Sequence, residues 1–314
     1  MTKIEGIIAE VTPLTDRVTA FVITSKAGGG LPMWTAGAHI DVDVPGGTRA
    51  YSLISFEPVT AAPASYTIAV QREPDGQGGS QAMHALTVGD SLTFAAPKND
   101  FPVDTSFSAV LLAGGIGITP LISMAAAVRT AGQTYAFHYA GRSATVMAYR
   151  DQLTAAHGRA LHLHCDDDSA LNLDTLIASA GAAHLYVCGP RGLLDAVRSK
   201  AEAEGIPGAR IHFELFEAAD AQADDSAFEV QINDGAVFTI PPGKTIIEVL
   251  EENDVDVMYD CQRGDCGICQ CDVIEGQPDH RDVVLSEAER AAGDVMQICV
   301  SRAKSARLVL DIDR

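Results

Sequence analysis

The chain has 314 residues and carries 42 acidic against 22 basic side chains, a formal net charge of −20. So acidic a surface excludes nucleic acid as the natural partner, because phosphate binding needs a basic face, and no apolar run is long enough to cross a bilayer. The length predicts two or three domains, each able to bury a core. Met1-Thr2-Lys3-Ile4-Glu5 passes straight into alternating apolar positions. No secretory leader is therefore expected, and a cytoplasmic location suits a chain with free thiols. The acidity either keeps the protein soluble or steers a basic partner, and composition leaves both readings open.

From Ile4 to about Pro102 the pattern is short alternating runs broken by Gly, Pro, Asn and Asp. Strands are predicted at Gly6–Val11, Val18–Ile23, His39–Val44 and Tyr66–Val70. Several short strands with turns between them imply a small antiparallel β-barrel over residues 1–103. Within it, alternation along Arg49-Ala50-Tyr51-Ser52-Leu53 sends Arg49 and Tyr51 to one face and Ser52 to the other. Gly76-Gln77-Gly78-Gly79-Ser80 then opens a short helix through His84. Such a turn is either an anion site, with backbone amides facing a phosphate, or an ordinary hairpin loop. His39 and His84 read as packing or capping residues.

Residues 104–217 change character, to strands alternating with helices. Ser108–Ala113 is a buried-looking strand that ends in Gly114-Gly115-Ile116-Gly117-Ile118-Thr119-Pro120 and continues into a helix from Leu121 to about Ala131. Strands at Tyr135–Tyr139, Ala160–His164 and His184–Val187 alternate with helices around Met147–Thr154, Leu173–Ser179 and Gly192–Glu204. That order predicts an α/β domain with an open parallel sheet. Ligands of such sheets bind beyond the carboxyl ends of the strands, where Thr119 and Cys188-Gly189-Pro190 fall, and the glycine turn would let a pyrophosphate approach backbone amides. Packing is the lesser alternative for Cys188, since free cysteines are commonly buried. Arg142 and Ser143 sit where a ribose 2′-phosphate could be accepted. His162, His164 and Cys165 read as core or loop residues, since a metal site there would need further ligands.

Residues 218–227 are small or acidic without apolar periodicity, and predict a solvated tether. In 228–314, Phe228–Ile232 and Val237–Ile240 form a hairpin across Asn233-Asp234-Gly235, and a helix begins after Gly243-Lys244-Thr245 and ends at Asn253. Then come Cys261, Cys266 and Cys269, spaced Cys-x4-Cys-x2-Cys, with Cys299 far downstream. This is the plant-type arrangement for a 2Fe-2S cluster, in which each iron is capped by two thiolates. Zinc would ask for paired CxxC motifs or histidines at comparable spacing. Cys271 is expected as a buried neighbour on the following strand, and Ser286-Glu287-Ala288-Glu289 as a helix capping box.

With these motifs the whole chain resembles the phthalate dioxygenase reductase and vanillate O-demethylase reductase group, in which a flavin barrel, a nicotinamide domain and a C-terminal ferredoxin of β-grasp-like α+β fold share one polypeptide. The resemblance implies roles residue by residue. Arg49, Tyr51 and Ser52 match the RxYSL flavin motif: Arg49 would meet the flavin phosphate, Tyr51 the ribityl chain or ring, and Ser52 the ring's reactive edge. Gly76, Gly78, Gly79 and Ser80 match a GRGGS segment whose phosphate-binding form takes FMN in preference to FAD, with Gln77 standing where Arg is usual. Gly114, Gly115, Gly117 and Thr119 match GGxGxTP, which places Thr119 near the nicotinamide, and Cys188, Gly189 and Pro190 would meet that ring where it faces the flavin. Phe216, in His212-Phe213-Glu214-Leu215-Phe216, is the candidate to cover the flavin, although core packing explains it equally. The implied cofactors are FMN, NADH and a 2Fe-2S cluster on Cys261, Cys266, Cys269 and Cys299. The implied activity is that of a monomeric reductase serving a separate terminal oxygenase, a Rieske non-haem iron enzyme ahead of a cytochrome P450. A redox sensor, or a flavin reductase with an uncoupled cluster, is the alternative.

Overall fold

The structure, a computed structural model, describes residues 3–312 except Asp75, Gln77, 217–224 and Asp234. The segment predicted as a tether lies outside the described residues from 218 to 224, as does Gln77. The chain divides into two compact bodies, Met1–Glu214 and Leu215–Arg314.

The first body opens with β1 (Lys3–Pro13), β2 (Val18–Ser25), β3 (His39–Val44), β4 (Gly47–Ser52), β5 (Ser65–Gln71), helix α1 (Gly79–His84) and β6 (Ser91–Ala95). The strands join in the order β4-β3-β6-β1-β2-β5, all antiparallel. The two edge strands approach one another just past β4, where the Ile54 amide donates to the Thr67 carbonyl at 2.9 Å. The result is a nearly closed antiparallel barrel. Its interior holds Ile8, Phe21, Ile23, Ile40, Ile68 and Phe94, each fully buried, because alternation aims every second side chain inward. His39 and His84 do pack: His39 is buried and His84 places Nε2 2.9 Å from the Val70 carbonyl.

Parallel β/α units follow: β7 (Ala109–Gly114), α2 (Ile118–Thr130), β8 (Tyr135–Gly141), α3 (Arg150–His157), β9 (Leu161–Cys165), α4 (Leu173–Ser179), β10 (His184–Cys188), α5 (Arg191–Ala203) and β11 (Ile211–Glu214). Sheet order is β11-β10-β7-β8-β9, parallel throughout. β7 is buried along its whole length, as a central strand covered on both faces must be. One helix starts later than its periodicity suggests. Met147, Ala148 and Tyr149 are buried in the core with Tyr149 at φ 61°, so the chain turns there and α3 begins only at Arg150.

The second body contains β12 (Phe228–Ile232), β13 (Val237–Ile240), α6 (Ile246–Glu252), β14 (Gln270–Glu275), β15 (Pro278–Asp279), α7 (Glu287–Ala292), β16 (Val295–Gln297), β17 (Arg302–Ala303) and β18 (Arg307–Asp311). Its sheet runs β13-β12-β18-β14-β16 with β12 and β18 parallel, and α6 packs Ile246, Ile247, Val249 and Leu250 into the same core. Both short helices start in capping boxes, Thr245 with Glu248 and Ser286 with Glu289. Each box satisfies two amides that the first turn would leave open.

Candidate functional site

Strand β4 ends in the buried Ser52, and Arg49 and Tyr51 share the opposite face. Burial pushes the Tyr51 phenol up to about 12, so it stays a hydrogen-bond donor at neutral pH. The distant glycine turn comes to this strand. A Cβ on Gly79 would stand 3.2 Å from Arg49 Cγ and 3.0 Å from Val44 Cγ2, so the guanidinium stem lies over the start of α1. Gly78 caps that helix at φ 87°, a conformation that glycine takes without strain. The Ser80 hydroxyl accepts the Glu73 amide at 3.0 Å, and the Gly76 amide donates to the Glu73 carbonyl at 3.4 Å. Those bonds close the turn on itself.

Side chains of α2 couple this barrel edge to the parallel sheet, and one of them, Arg129, donates to the Phe56 carbonyl at 3.0 Å. Ser123 on α2 donates to the Leu53 carbonyl at 2.9 Å and accepts the Ser55 amide at 2.9 Å, which fixes the chain directly after Ser52. Ser123 was not singled out in the sequence; only the packing of α2 against the barrel reveals it. Thr119 lies one turn earlier on the same helix, buried, with its hydroxyl donating to the Ile116 carbonyl at 3.1 Å.

The two turns at the carboxyl end of the sheet meet backbone to backbone. A Cβ on Gly117 would fall 2.2 Å from the Cys188 carbonyl oxygen and 2.8 Å from the Gly189 amide, and one on Gly114 would reach Pro190 Cδ at 2.8 Å. Gly114 and Gly117 are thus small because a second turn occupies the space. Gly115 differs: at φ 56° it faces open space, with nothing within 4 Å of a Cβ. Cys188 is fully buried. Beside it, as its Cα partner on β11, is Glu214, a carboxylate only 3% exposed that the sequence reading passed over.

In the second body the loop from Cys261 to Cys269 is wound by Gln262, Gly264 and Gly267 at φ 52°, 82° and 79°. Gly264 leaves no room for a side chain, since a Cβ would lie 2.6 Å from Val300 Cγ2 and 3.0 Å from Asp282 Cα. Its carbonyl accepts the Val283 amide at 2.9 Å, and the Asp282 carboxylate accepts the amides of Val284 and Leu285, so residues 282–285 brace the loop. The four thiols gather in pairs: Cys261 interacts with Cys266, Cys269 with Cys299, and Cys261 also with Cys299. Neighbouring S–H groups hold the Cys261 and Cys269 thiols below the ordinary range, while the same contacts and burial raise Cys266 and Cys299. The Arg263 amide donates to Cys261 Sγ at 3.3 Å.

Four soft donors in two linked pairs fit two irons with two thiolates each. Among the described residues no group of three or more histidine, cysteine or acidic side chains is arranged around a single ion. Cys271 is buried on β14, where desolvation pushes its thiol up, as expected of a packing cysteine. Asp265, inside the loop, accepts the Leu215 amide at 2.7 Å, and burial pushes its carboxyl up to about 7. Phe216, next to Leu215, belongs to this body and is 37% exposed.

The sequence reading also missed a histidine. His138 on β8 stacks on His162 and His164 of β9, with Nδ1 3.0 Å from His164 Nε2. Burial, then the neighbouring imidazoles, push it down to about 4.

Residues 230–304 match the model of the 2Fe-2S iron-sulfur cluster binding domain. Phenoxybenzoate dioxygenase subunit beta from Ectopseudomonas oleovorans is 43% identical over 304 residues, 95% of this chain and 93% of that protein. The solved structure of phthalate dioxygenase reductase, described as modular for electron transfer from pyridine nucleotides to [2Fe-2S], is 36% identical with a TM-score of 0.70 and covers 98% of both chains. The chain belongs to the phthalate dioxygenase reductase family. It is an oxidoreductase of the oxygenase-reductase type, built for a flavin, a nicotinamide nucleotide and a 2Fe-2S cluster. The same fold is part of a larger protein, an intact type IV self-sufficient cytochrome P450 monooxygenase, at 35% identity and TM-score 0.73 over 98% of this chain and 41% of that one. Among the described residues, no helix is long and apolar enough to cross a membrane.

Proposed function

We propose that the chain oxidises NADH and delivers single electrons to a separate terminal oxygenase of the Rieske non-haem iron type, acting on an aromatic or small organic acid. Flavin and cluster together supply the conversion of a two-electron hydride into one-electron steps. The protein's own residues then have to bind, orient and connect. Arg49 would pair with the phosphate of the flavin, taken as FMN from the likeness of Gly76, Gly78, Gly79 and Ser80 to the family's phosphate-binding segment. Ser52 would offer its hydroxyl to the reactive edge of the ring, and Tyr51, protonated at neutral pH, would meet the ribityl chain or ring. Thr119, Cys188, Gly189 and Pro190 hold the nicotinamide at the sheet's carboxyl end, with Gly114, Gly115 and Gly117 forming the turn for the nucleotide. Cys261, Cys266, Cys269 and Cys299 would ligate the cluster. The proposed domains are 1–103, 104–217 and 228–314, with Leu215 and Phe216 packed into the second compact body. The chain acts as a cytoplasmic monomer.

The convergence of the four thiols carries this reading, because a plain flavin reductase has no use for it. Likeness to the oxygenase reductases over the full length favours a separate partner. The fused P450 relative supports a second reading, in which the acceptor is a haem enzyme served by the same one-electron supply.

The test is an anaerobic NADH titration followed by visible absorbance, with the released flavin identified afterwards. Bleaching of flavin and iron-sulfur bands together, with FMN released, is expected. Bleaching of the flavin alone would replace the proposal with a plain flavin reductase.

A further inference from the structure

A short antiparallel pairing joins the thiol loop to the distant fourth cysteine. β14 begins at Gln270, directly after Cys269, and β16 ends at Gln297, two residues before Cys299. Gln270 and Gln297 are Cα partners across that pair. The Ile298 amide donates to the Cys269 carbonyl at 3.3 Å, and the Ser301 amide donates to the Gln297 carbonyl at 3.1 Å, so Gln297 is held between two thiol-bearing segments. Its side chain is fully buried. Cys269 Sγ donates to Gln297 Oε1 at 3.5 Å, and Gln297 Nε2 donates to the Oε1 of Gln270, an exposed residue, at 3.0 Å.

Burying a primary amide costs free energy that its hydrogen bonds must offset. One of those bonds is to the sulfur of Cys269. That sulfur can donate only while it is a thiol; on iron it is a thiolate, which accepts and does not donate. The amide oxygen of Gln297 would then face negative charge. Rotating the amide by half a turn brings Nε2 to the sulfur and Oε1 to Gln270. Gln270 can follow, because its own exposed amide carries both a donor and an acceptor. The same two side chains thus satisfy the thiol in one orientation and the thiolate in the other. The direction of the effect follows from charge. One-electron reduction adds negative charge that the sulfurs share, so an N–H aimed at a sulfur stabilises the reduced cluster more than the oxidised one.

We propose that Gln297 is a positioning residue for electron transfer: with iron bound, its Nε2–H donates to Cys269 Sγ, orients that ligand and raises the potential of the cluster. The inference rests on the reading of Cys269 as a cluster ligand given above. It adds a buried residue that the cysteine spacing does not point to.

The experiment compares the full-length protein, its cluster reconstituted, with Gln297→Met, which keeps the length of the side chain but offers no N–H. The midpoint potential is read from the EPR signal of the reduced cluster. At fixed potential the ratio of reduced to oxidised cluster should fall at least about fivefold in Gln297→Met, a shift of about −40 mV at about 59 mV per tenfold. Gln270→Met, which removes only the partner of the turned amide, should shift it the same way by less. A smaller change than about fivefold in Gln297→Met, or a rise, would overturn the role of Gln297. A second measurement decides the matter even where that variant holds no cluster. With the side-chain amides of glutamine labelled with the heavy nitrogen isotope, pulsed EPR of the reduced parent should show a nitrogen coupled to the cluster, and a spectrum without it would overturn the proposal. A parent that shows no iron-sulfur absorbance after reconstitution would sink the cluster reading, and this inference with it.

Discussion

The two bodies use glycine for opposite reasons. At the edge of the parallel sheet Gly117 has an ordinary helical φ of −60° and is small because the Cys188 turn sits on it. In the thiol loop Gly264 is hemmed in by Val300 and Asp282 as well, but Gly267 is there for its φ of 79° alone, since the nearest atom to a Cβ would be Val284 Cγ1 at 3.4 Å. The first case is a packing constraint between distant segments. The second is a backbone constraint within one segment. Charge follows the same division. Residues 1–214 hold 14 basic against 20 acidic side chains, a net of −6, whereas 215–314 hold 8 against 22, a net of −14 in less than half the length. The smaller body therefore carries most of the field that would steer a basic partner.

The largest effect should come from the thiols. Cys266→Ser should lower NADH-driven reduction of cytochrome c at least about 100-fold while flavin reduction by NADH, followed by stopped-flow absorbance, persists; removing one ligand of a cluster abolishes the one-electron path without touching the barrel. Survival of cytochrome c reduction would show that the two bodies do not share the task.

Gly117→Ala is next. Its φ costs nothing, but the new methyl meets a carbonyl oxygen at 2.2 Å, so unfolding of the first body should become easier by about 3 kcal/mol or more in denaturant melts.

Acid should separate the bodies as well. Eight of the nine histidines lie before residue 215. His157 is buried, bonded through Nδ1 to the Tyr135 hydroxyl at 2.8 Å, and burial, with Arg129 near, pushes it down to about 4. The unfolded imidazole takes up its proton near the ordinary value of about 6.5 and the folded one does not, so stability is full above that pH and falls as pH drops toward 4. His157→Asn should recover about 1–2 kcal/mol at pH 5 relative to pH 7.5, measured as the change in denaturation midpoint. An equal loss in parent and variant would assign the acid sensitivity elsewhere.

The smallest effect sharpens the comparison. Gly115→Ala meets no neighbour, and at φ 56° it should cost only about 1 kcal/mol, the strain of a left-handed residue. A loss as large as that of Gly117→Ala would mean that backbone conformation, and not the second turn, governs the sheet edge.

Much of this molecule was legible in the chain. Strand alternation, the βα order, the Ser286–Glu289 capping box and the Cys-x4-Cys-x2-Cys spacing are written in short windows, because periodicity and covalent spacing act locally. The start of α3 was not, since the burial of Met147 to Tyr149 depends on a core assembled from other segments. Neither were the bonds of Ser123, the pairing of Glu214 with Cys188 and the stacking of His138, nor the seating of Gly117 on Cys188, of Arg49 on Gly79, and of Asp166 beside Gly141. Each of these is a neighbour relation across strands or layers, decided by the order β11-β10-β7-β8-β9 and by helix packing on the barrel. Sequence by itself determined which residues could do the chemistry; only tertiary structure decided which of them meet, because contact between distant segments depends on the packing of the whole body and not on any local pattern.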